Sequence, residues 1–290
     1  MNHRQATRDA QRISRSFVAG LLVALVGLPV ASGALAHEVW IETAASGQVG
    51  QGQEVRVCWG HSGHRESGEG LQRQQSKLIA WCVAPDSQSK NLPLLFKSDC
   101  LTATVTPAAP GAYVLGAECQ TGILDREFHG MAAKTRIVMA GKTVFRAGPG
   151  VRGIETPLRI ELDLVPGGDI LDLHPGDVVA AKVLFKKKPI GGRTVVATLS
   201  TLGSRPFPKD PGVEGLAWST KNTAAPGTGE VRFPLIAAGR HILSVRYTDE
   251  TPGRYEGDLE FTSKFSHLRK GDSYERTMHV STLTFEVLRD

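Results

Sequence analysis

The stretch LTATVTPAAPGAYVLGA, residues 101–117, contains the pattern that decides the fold. On both sides of Pro110-Gly111, apolar residues alternate with small or polar ones over short runs, which is typical of β-strands rather than helices. Proline followed by glycine favours a turn. We therefore predict that 101–105 and 113–117 are two strands joined as a hairpin.

The same layout recurs later in the chain, which extends the β prediction to the second half. Gly239 separates apolar runs at 231–236 and 242–247, again as a hairpin loop would. In the run 277–287, apolar residues and His279 share one parity and polar residues the other. That alternation predicts an outer strand of a sandwich, with one face buried and one in water.

The chain has the composition of a globular protein, with 41% hydrophobic and 22% charged residues among 290. The segment AGPGVRG, residues 147–153, has no periodicity and is the best linker candidate. The prediction is therefore an all-β fold of two consecutive antiparallel Ig-like β-sandwich domains, 37–150 and 151–290. The loop-rich segment 202–225 has no role that the sequence reveals.

Residues 1–36 have the features of a cleaved signal peptide. Arginines precede an apolar run at 17–30, and Ala34-Leu35-Ala36 supplies the small residues that signal peptidase requires. We expect export by a Sec-type route to the periplasm, with His37 as the first mature residue and no remaining membrane span. The net charge is +5, of which residues 1–36 carry +3, so the remainder carries only +2 and nucleic acid is not expected as a partner.

The four cysteines all fall in the first predicted domain. They are Cys58, Cys82, Cys100 and Cys119. An even number in an exported chain predicts two structural disulfides, and three pairings remain open.

Histidines are the strongest candidates for chemistry, because the common enzyme signatures are absent and no enzymatic activity is expected. A mature N-terminal His37 offers its α-amine and its ring Nδ1 to one metal ion. His61 or His64, three residues apart in a glycine-rich loop, would complete a site of three nitrogens, and His129 is a further candidate beside Met131. Nitrogen donors suit nickel, cobalt, copper and zinc.

Strand pairing predicts how these histidines would meet. His37 begins a first strand and His61 follows a second, so antiparallel pairing of the two would bring His37 to the His61 and His64 end. The remaining histidines have ordinary interpretations: His174 lies in a turn, and His241 and His279 share parity with core residues. His267 has no partner that the sequence identifies.

The chain resembles exported proteins described as periplasmic components of cobalt and nickel transport systems, a family also known as a domain of unknown function and once called a nickel-uptake region. The resemblance covers essentially the whole mature chain. The matching motifs are AHEVWIE (36–42), VCWGH (57–61), PGAYVL (110–115), TPLRIE (156–161), LHPGD (173–177), VLF with KPI (183–185 and 188–190), AGR (238–240) and TLTFEV (282–287).

The resemblance implies a two-part β-sandwich outside the cytoplasm, associated with cobalt or nickel uptake and without an established catalytic activity. The four cysteines and the segment 253–274 are departures from the family pattern. The leading hypothesis is a periplasmic nickel- or cobalt-binding protein that assists a membrane transporter. The alternatives are a non-catalytic structural or protein-interaction module and, third, a copper chaperone or redox protein with an N-terminal histidine chelate.

Overall fold

The computed structural model describes residues 37–61, 64–65, 68–125, 133–149, 160–202, 219–264 and 266–289. Within these ranges the protein is all-β, as predicted, apart from one short α-helix, α1 (Gly68–Gln74), and a 3-10 turn at Gln75–Lys77. The strands of the first half are β1 (Glu38–Glu42), β2 (Ser46–Gly47), β3 (Gln53–His61), β4 (His64–Arg65), β5 (Leu78–Val83), β6 (Ser89–Asn91), β7 (Leu95–Lys97), β8 (Cys100–Val105), β9 (Gly111–Leu124) and β10 (Thr135–Ala147).

The second half continues the all-β pattern. Its strands are β11 (Leu162–Pro166), β12 (Val178–Phe185), β13 (Lys188–Pro189), β14 (Val196–Thr201), β15 (Ser219–Thr223), β16 (Glu230–Pro234), β17 (Gly239–Asp249), β18 (Gly253–Arg254), β19 (Phe261–Thr262), β20 (His267–Leu268), β21 (Ser273–Tyr274) and β22 (Arg276–Val287).

One large sheet organises the molecule. Its main path runs β15-β14-β17-β22-β10-β9-β20-β19, with β2, β5 and β6 attached. A five-stranded sheet follows the order β1-β3-β8-β7, with β4 beside β3, and a four-stranded sheet contains β11, β12, β13 and β16. The pairing of β10 with β22 is parallel and joins strands from both predicted domains. The predicted boundary at residue 150 itself lies outside the described residues.

Two hydrophobic cores lie on opposite faces of the large sheet. Alternate residues of β10 supply them: Met139 and Phe145 pack with the five-stranded sheet, whereas Ala140 and Val144 pack with the four-stranded sheet. The polar face predicted for the last strand is wrong. β22 is paired on both edges and covered on both faces, so Thr282 and Thr284 are buried.

Both predicted hairpins are also wrong, because in each case the two strands beside the turn belong to different sheets. β8 belongs to the five-stranded sheet while β9 belongs to the large one, so the chain at Pro110-Gly111 crosses between sheets. The chain before Gly239 crosses in the same way, from β16 in the four-stranded sheet to β17 in the large sheet. Local turn chemistry is the same in a hairpin and in such a crossing, and only the tertiary packing separates them.

A close approach at Gly141 fixes the position of β1. A Cβ atom at Gly141 would lie 2.9 Å from the carbonyl oxygen of Val39 and 3.0 Å from Cα of Trp40, so any larger residue would force the backbones apart. Thr282 also donates a hydrogen bond from Oγ1 to the Val39 carbonyl oxygen at 2.7 Å. Strand β1 is therefore held directly against β10 and β22.

A buried ion pair connects the two halves of the chain. Lys142 of β10 donates from Nζ to both carboxylate oxygens of Asp163 in β11, at 2.9 and 3.1 Å, and to the carbonyl oxygen of Leu164 at 3.3 Å. Both charged side chains are fully buried. Burial lowers the pKa of Lys142, while the charge and hydrogen bond of Asp163 oppose that change.

We predict that Lys142→Met destabilises the fold by about 3–5 kcal/mol, because it leaves a buried carboxylate without its cation. The double variant Lys142→Met, Asp163→Leu removes both charges and should lose clearly less stability than the single variant. Urea unfolding followed by tryptophan fluorescence measures both. Equal losses in the single and double variants would contradict the prediction.

The structure contains one disulfide, between Cys58 of β3 and Cys100 of β8. The second predicted disulfide does not form: Cys82 and Cys119 are buried free thiols. Cys82 pairs with Leu115 and Cys119 with Leu78 across β5 and β9, which separates the two cysteines by four residues, or ~13 Å, along the strands. A disulfide requires Cα atoms within about 7 Å, so the register forbids this bond.

Thiol labelling tests this assignment. Burial raises the pKa of Cys82 to about 11 and that of Cys119 to about 12, so neither should react with a thiol reagent in the folded protein. Unfolding without reductant should expose two thiols per chain, and reduction should expose all four. An unreduced, unfolded chain with no reactive thiol would instead support the second disulfide.

Candidate metal site

The pairing of β1 with β3 brings two of the predicted metal ligands together. The strands are antiparallel, with Glu38 opposite Gly60, so the next position along each strand is His37 and His61. The centroids of these two imidazole rings lie 4.2 Å apart. The predicted antiparallel pairing is confirmed, and it places two nitrogen-bearing rings close enough to share one ion.

His64 lies on the other side of His61. Strand β4 pairs with the end of β3, and the register sets His64 directly opposite His61 and Arg65 opposite Gly60. Three predicted histidines therefore occupy neighbouring positions across β1, β3 and β4, and we refer to His37, His61 and His64 as the histidine row. His129 and Met131 lie outside the described residues.

Trp59 forms a wall beside the row. It lies two residues before His61 on β3, and therefore on the same face of the strand. Its ring centroid is 4.7 Å from that of His37, and its side chain is buried in the core between the five-stranded sheet and the large sheet. An ion held by the row would thus have an apolar side, which strengthens electrostatic contacts by excluding water.

A buried carboxylate near the hairpin of β3 and β4 pairs with two arginines. Glu42 of β1 is only 1% exposed. Its Oε1 accepts hydrogen bonds from Nε1 of Trp40 at 2.9 Å and from Nε of Arg65 at 3.1 Å. Its Oε2 accepts from a second nitrogen of Arg65 and from Arg240 at 2.9 Å. This set of contacts, here called the Glu42 network, joins β1, β4 and β17.

Asp99 extends the network towards the disulfide. Its carboxylate accepts hydrogen bonds from Arg65 at 2.8 Å and from Arg56 at 2.9 Å, and it immediately precedes Cys100. Partial burial would raise the pKa of Asp99, but the hydrogen bond and charge of Arg65 and the charge of Arg56 outweigh it and lower the pKa. Asp99 is thus held as an anion between two arginines.

The donor set suits a late transition metal, although the described side chains supply only part of it. Among the described residues, no group of three or more His, Cys, Asp or Glu side chains could hold a metal ion. The His37 and His61 imidazoles provide two nitrogens. The third nitrogen of the predicted site is the α-amine of His37, which exists only once residues 1–36 are removed.

The Glu42 network was missed by the sequence analysis. A signal for it was present, because Glu42 ends a strand whose other residues are buried, and a buried acid needs a paired cation. What the sequence did not reveal is which of the 34 basic residues would supply the pairing. Arg65 and Arg240 come from strands 23 and 198 residues away.

The other histidines have ordinary structural surroundings. His241 is buried, donates from Nδ1 to the carbonyl oxygen of Gly239 at 2.9 Å, and has a pKa lowered by burial. His174 lies in the predicted turn, where its backbone N–H donates to Asp177. His267 contacts Asp272 through Nδ1 at 2.8 Å, a partner that sequence reasoning did not name.

His279 is buried in β22, and burial lowers its pKa from 6.5 to about 4, with the charges of Arg136 and Lys186 acting in the same direction and that of Asp249 opposing. Its Nε2 lies 3.3 Å from the half-exposed carboxylate of Glu161, but burial dominates. His279 is therefore neutral in the folded protein at pH values where the same side chain is protonated in the unfolded chain.

We predict that the unfolding free energy falls by ~3 kcal/mol through His279 as the pH drops from 6.5 to 4. Between pH 6.5 and pH 4, His279 is protonated in the unfolded chain and neutral in the folded protein, so lowering the pH favours unfolding. His279→Gln should remove this part of the pH dependence, as measured by urea unfolding across the range. Identical slopes in the two proteins would contradict the prediction.

An open groove of about 670 Å³ is separate from the histidine row. Its lining comes from α1, the 3-10 turn, β5 and residues 91–94, and all of it is neutral: Gln72, Gln75, Ser76, Leu78, Ile79, Ala80, Asn91, Leu92 and Leu94. Without a titratable side chain in this lining, the groove offers no acid, base or metal ligand. The histidine row remains the candidate site.

The fold and the site define an all-β sandwich protein that carries adjacent histidines at the end of paired strands. The chain belongs to the DUF4198 family, a domain of unknown function, whose model matches residues 34–249. That match includes the histidine row and extends across the predicted domain boundary. Within the described residues, no helix is long and apolar enough to cross a membrane.

Comparison with individual proteins adds little to the family assignment. No curated protein matches the chain. Among solved structures, a mutant of Salmonella alpha-2-macroglobulin is similar, with 13% sequence identity and a TM-score of 0.28. The match covers 89% of this chain and 15% of that protein, and at this TM-score it carries no argument.

Proposed function

We propose that this protein is exported to the periplasm, binds nickel or cobalt there, and presents the ion to a membrane transporter. The observation that carries the proposal is the histidine row, in which the His37 and His61 rings lie 4.2 Å apart and His64 is paired with His61. The three histidines come from separate segments of the chain, and the strand register gives them neighbouring backbone positions.

Removal of residues 1–36 would complete the donor set. The new α-amine belongs to His37 itself, so it would lie beside the two imidazoles without any further rearrangement of the chain. The bound ion would then have three nitrogen donors from two residues. The apolar wall of Trp59, 4.7 Å from His37, would limit the access of water on one side.

The choice of metal rests on the nitrogen ligands and on the family that the chain resembles. Nitrogen donors exclude calcium and magnesium as preferred ions, and affinity alone ranks copper above nickel and cobalt. Nickel or cobalt is proposed because of the resemblance of the chain to proteins associated with their uptake. A three-nitrogen site would leave a coordination position open, which suits capture and later release of an ion to a partner.

We predict that protein matured in the periplasm binds one nickel or cobalt ion tightly. One extra glycine ahead of His37 should abolish that binding, because it moves the α-amine away from the ring. His61→Ala should weaken binding at least tenfold, as expected for loss of a metal ligand. Isothermal calorimetry with nickel, cobalt, copper and zinc measures affinity and stoichiometry, and intact mass confirms that the chain begins at His37.

The matched control is His174→Ala, which removes a histidine from a turn outside the row and should leave affinity unchanged. Binding that survives the extra glycine would contradict the role of the α-amine. Absence of binding by the wild-type protein would contradict metal capture altogether. Tight binding of copper together with weak binding of nickel and cobalt would overturn the choice of metal and favour the copper alternative.

A further inference from the structure

We propose that Arg65 positions the histidine row by tying the hairpin formed by the end of β3 and β4, which contains His61 and His64, to strand β1, which directly follows His37. The inference rests on the proposed function, since it assigns a positioning residue to the same site. It predicts that the ion-binding geometry depends on a side chain that does not itself offer a metal ligand.

The first observation is the geometry of the Arg65 guanidinium. It contacts both carboxylate oxygens of Glu42 and also donates to Asp99 at 2.8 Å. Two-point contact between a planar guanidinium and a carboxylate fixes direction as well as distance, and a lysine cannot reproduce it. The side chain therefore has a single well-defined orientation between two anchors.

The second observation is what those anchors belong to. Glu42 is part of β1, and His37 is the residue immediately before that strand. Asp99 immediately precedes Cys100, whose disulfide to Cys58 holds β8 against β3. Arg65 thus connects β4 both to the strand of His37 and to the covalently fixed part of the five-stranded sheet.

The third observation is the short backbone pairing of β4 among the described residues. The strand contains two residues, His64 and Arg65, and it pairs only with Gly60 and His61 of β3 within the described residues. A two-stranded pairing of this length is marginal without additional contacts. The Arg65 side chain supplies those contacts, and it immediately follows His64 in sequence.

The Glu42 network also contains a matched control. Arg240 of β17 contacts the same Oε2 atom of Glu42 at 2.9 Å, and its side chain is 28% exposed against 29% for Arg65. Either substitution leaves the buried carboxylate with one arginine and with Trp40. Arg240→Gln thus perturbs the same carboxylate but keeps both contacts of Arg65 with Glu42, whereas only the Arg65 variant releases the hairpin.

The experiment compares Arg65→Gln and Arg240→Gln in the full chain matured in the periplasm, with nickel as the probe. Nickel affinity measured by calorimetry should fall about 10–100-fold in Arg65→Gln, the range typical of residues that orient metal ligands, and stay within about threefold in Arg240→Gln. Arg65→Lys should lie between the wild type and Arg65→Gln. Urea unfolding checks that both glutamine variants fold.

Hydrogen exchange without metal provides the second readout. The amides of Gly60, His61, His64 and Arg65 should exchange faster in Arg65→Gln and at the wild-type rate in Arg240→Gln. Equal changes in both variants, or no change in Arg65→Gln, would overturn the inference. If the wild-type protein binds no metal, the proposed function fails, and hydrogen exchange alone then decides whether Arg65 orders the hairpin.

Discussion

The buried carboxylate of Glu42 is the constraint on which the position of strand β1 depends. A carboxylate removed from water costs several kcal/mol unless cations and hydrogen-bond donors surround it. Those partners come from three places: Trp40 in the same strand, Arg65 in the hairpin and Arg240 in the large sheet. Strand β1 can therefore take its buried position only when the hairpin and the large sheet are both in place. The Glu42 network makes the assembly of the two sheets cooperative.

Much of the fold was predictable from the sequence, because short alternating runs determine strands locally. The runs 101–105 and 113–117 lie in strands in both the prediction and the structure, and β1 and β3 pair as expected. What local pattern could not determine is the sheet to which each strand belongs. Pro110-Gly111 has the chemistry of a hairpin, yet the strands beside it pair with distant partners. The burial of both faces of β22 was missed for a related reason. Threonine is polar, but it can lie on a buried face when its hydroxyl donates a hydrogen bond to a carbonyl oxygen, as Thr282 does to Val39.

For the candidate site too, the sequence predicted the contacts between nearby strands and missed those between distant ones. The approach of His37 to His61 followed from one strand pairing of low sequence separation, so the sequence predicted it. The disulfide pairing depends on the neighbouring positions of β3 and β8 in one sheet, and the contact of Arg240 with Glu42 depends on the packing of two sheets, neither of which a motif encodes. The family match supports a common fold for residues 34–249 and leaves the chemistry of the row to be measured. If the row binds metal as proposed, Glu42 and Arg65 would belong to the site with the histidines, because the geometry of a metal site depends on the groups that orient its ligands.

The parallel pairing of β10 with β22 has a consequence for when the protein can fold. The partners are 141 residues apart in sequence, and β22 lies between β10 and β17 in the middle of the large sheet. The ribosome makes this central strand after the other strands of the sheet, so the large sheet stays open until synthesis has reached residue 287. Contacts of such high sequence separation also form slowly. A chain that completes its central sheet last cannot close either of the two hydrophobic cores that this sheet separates before its final strand has been made.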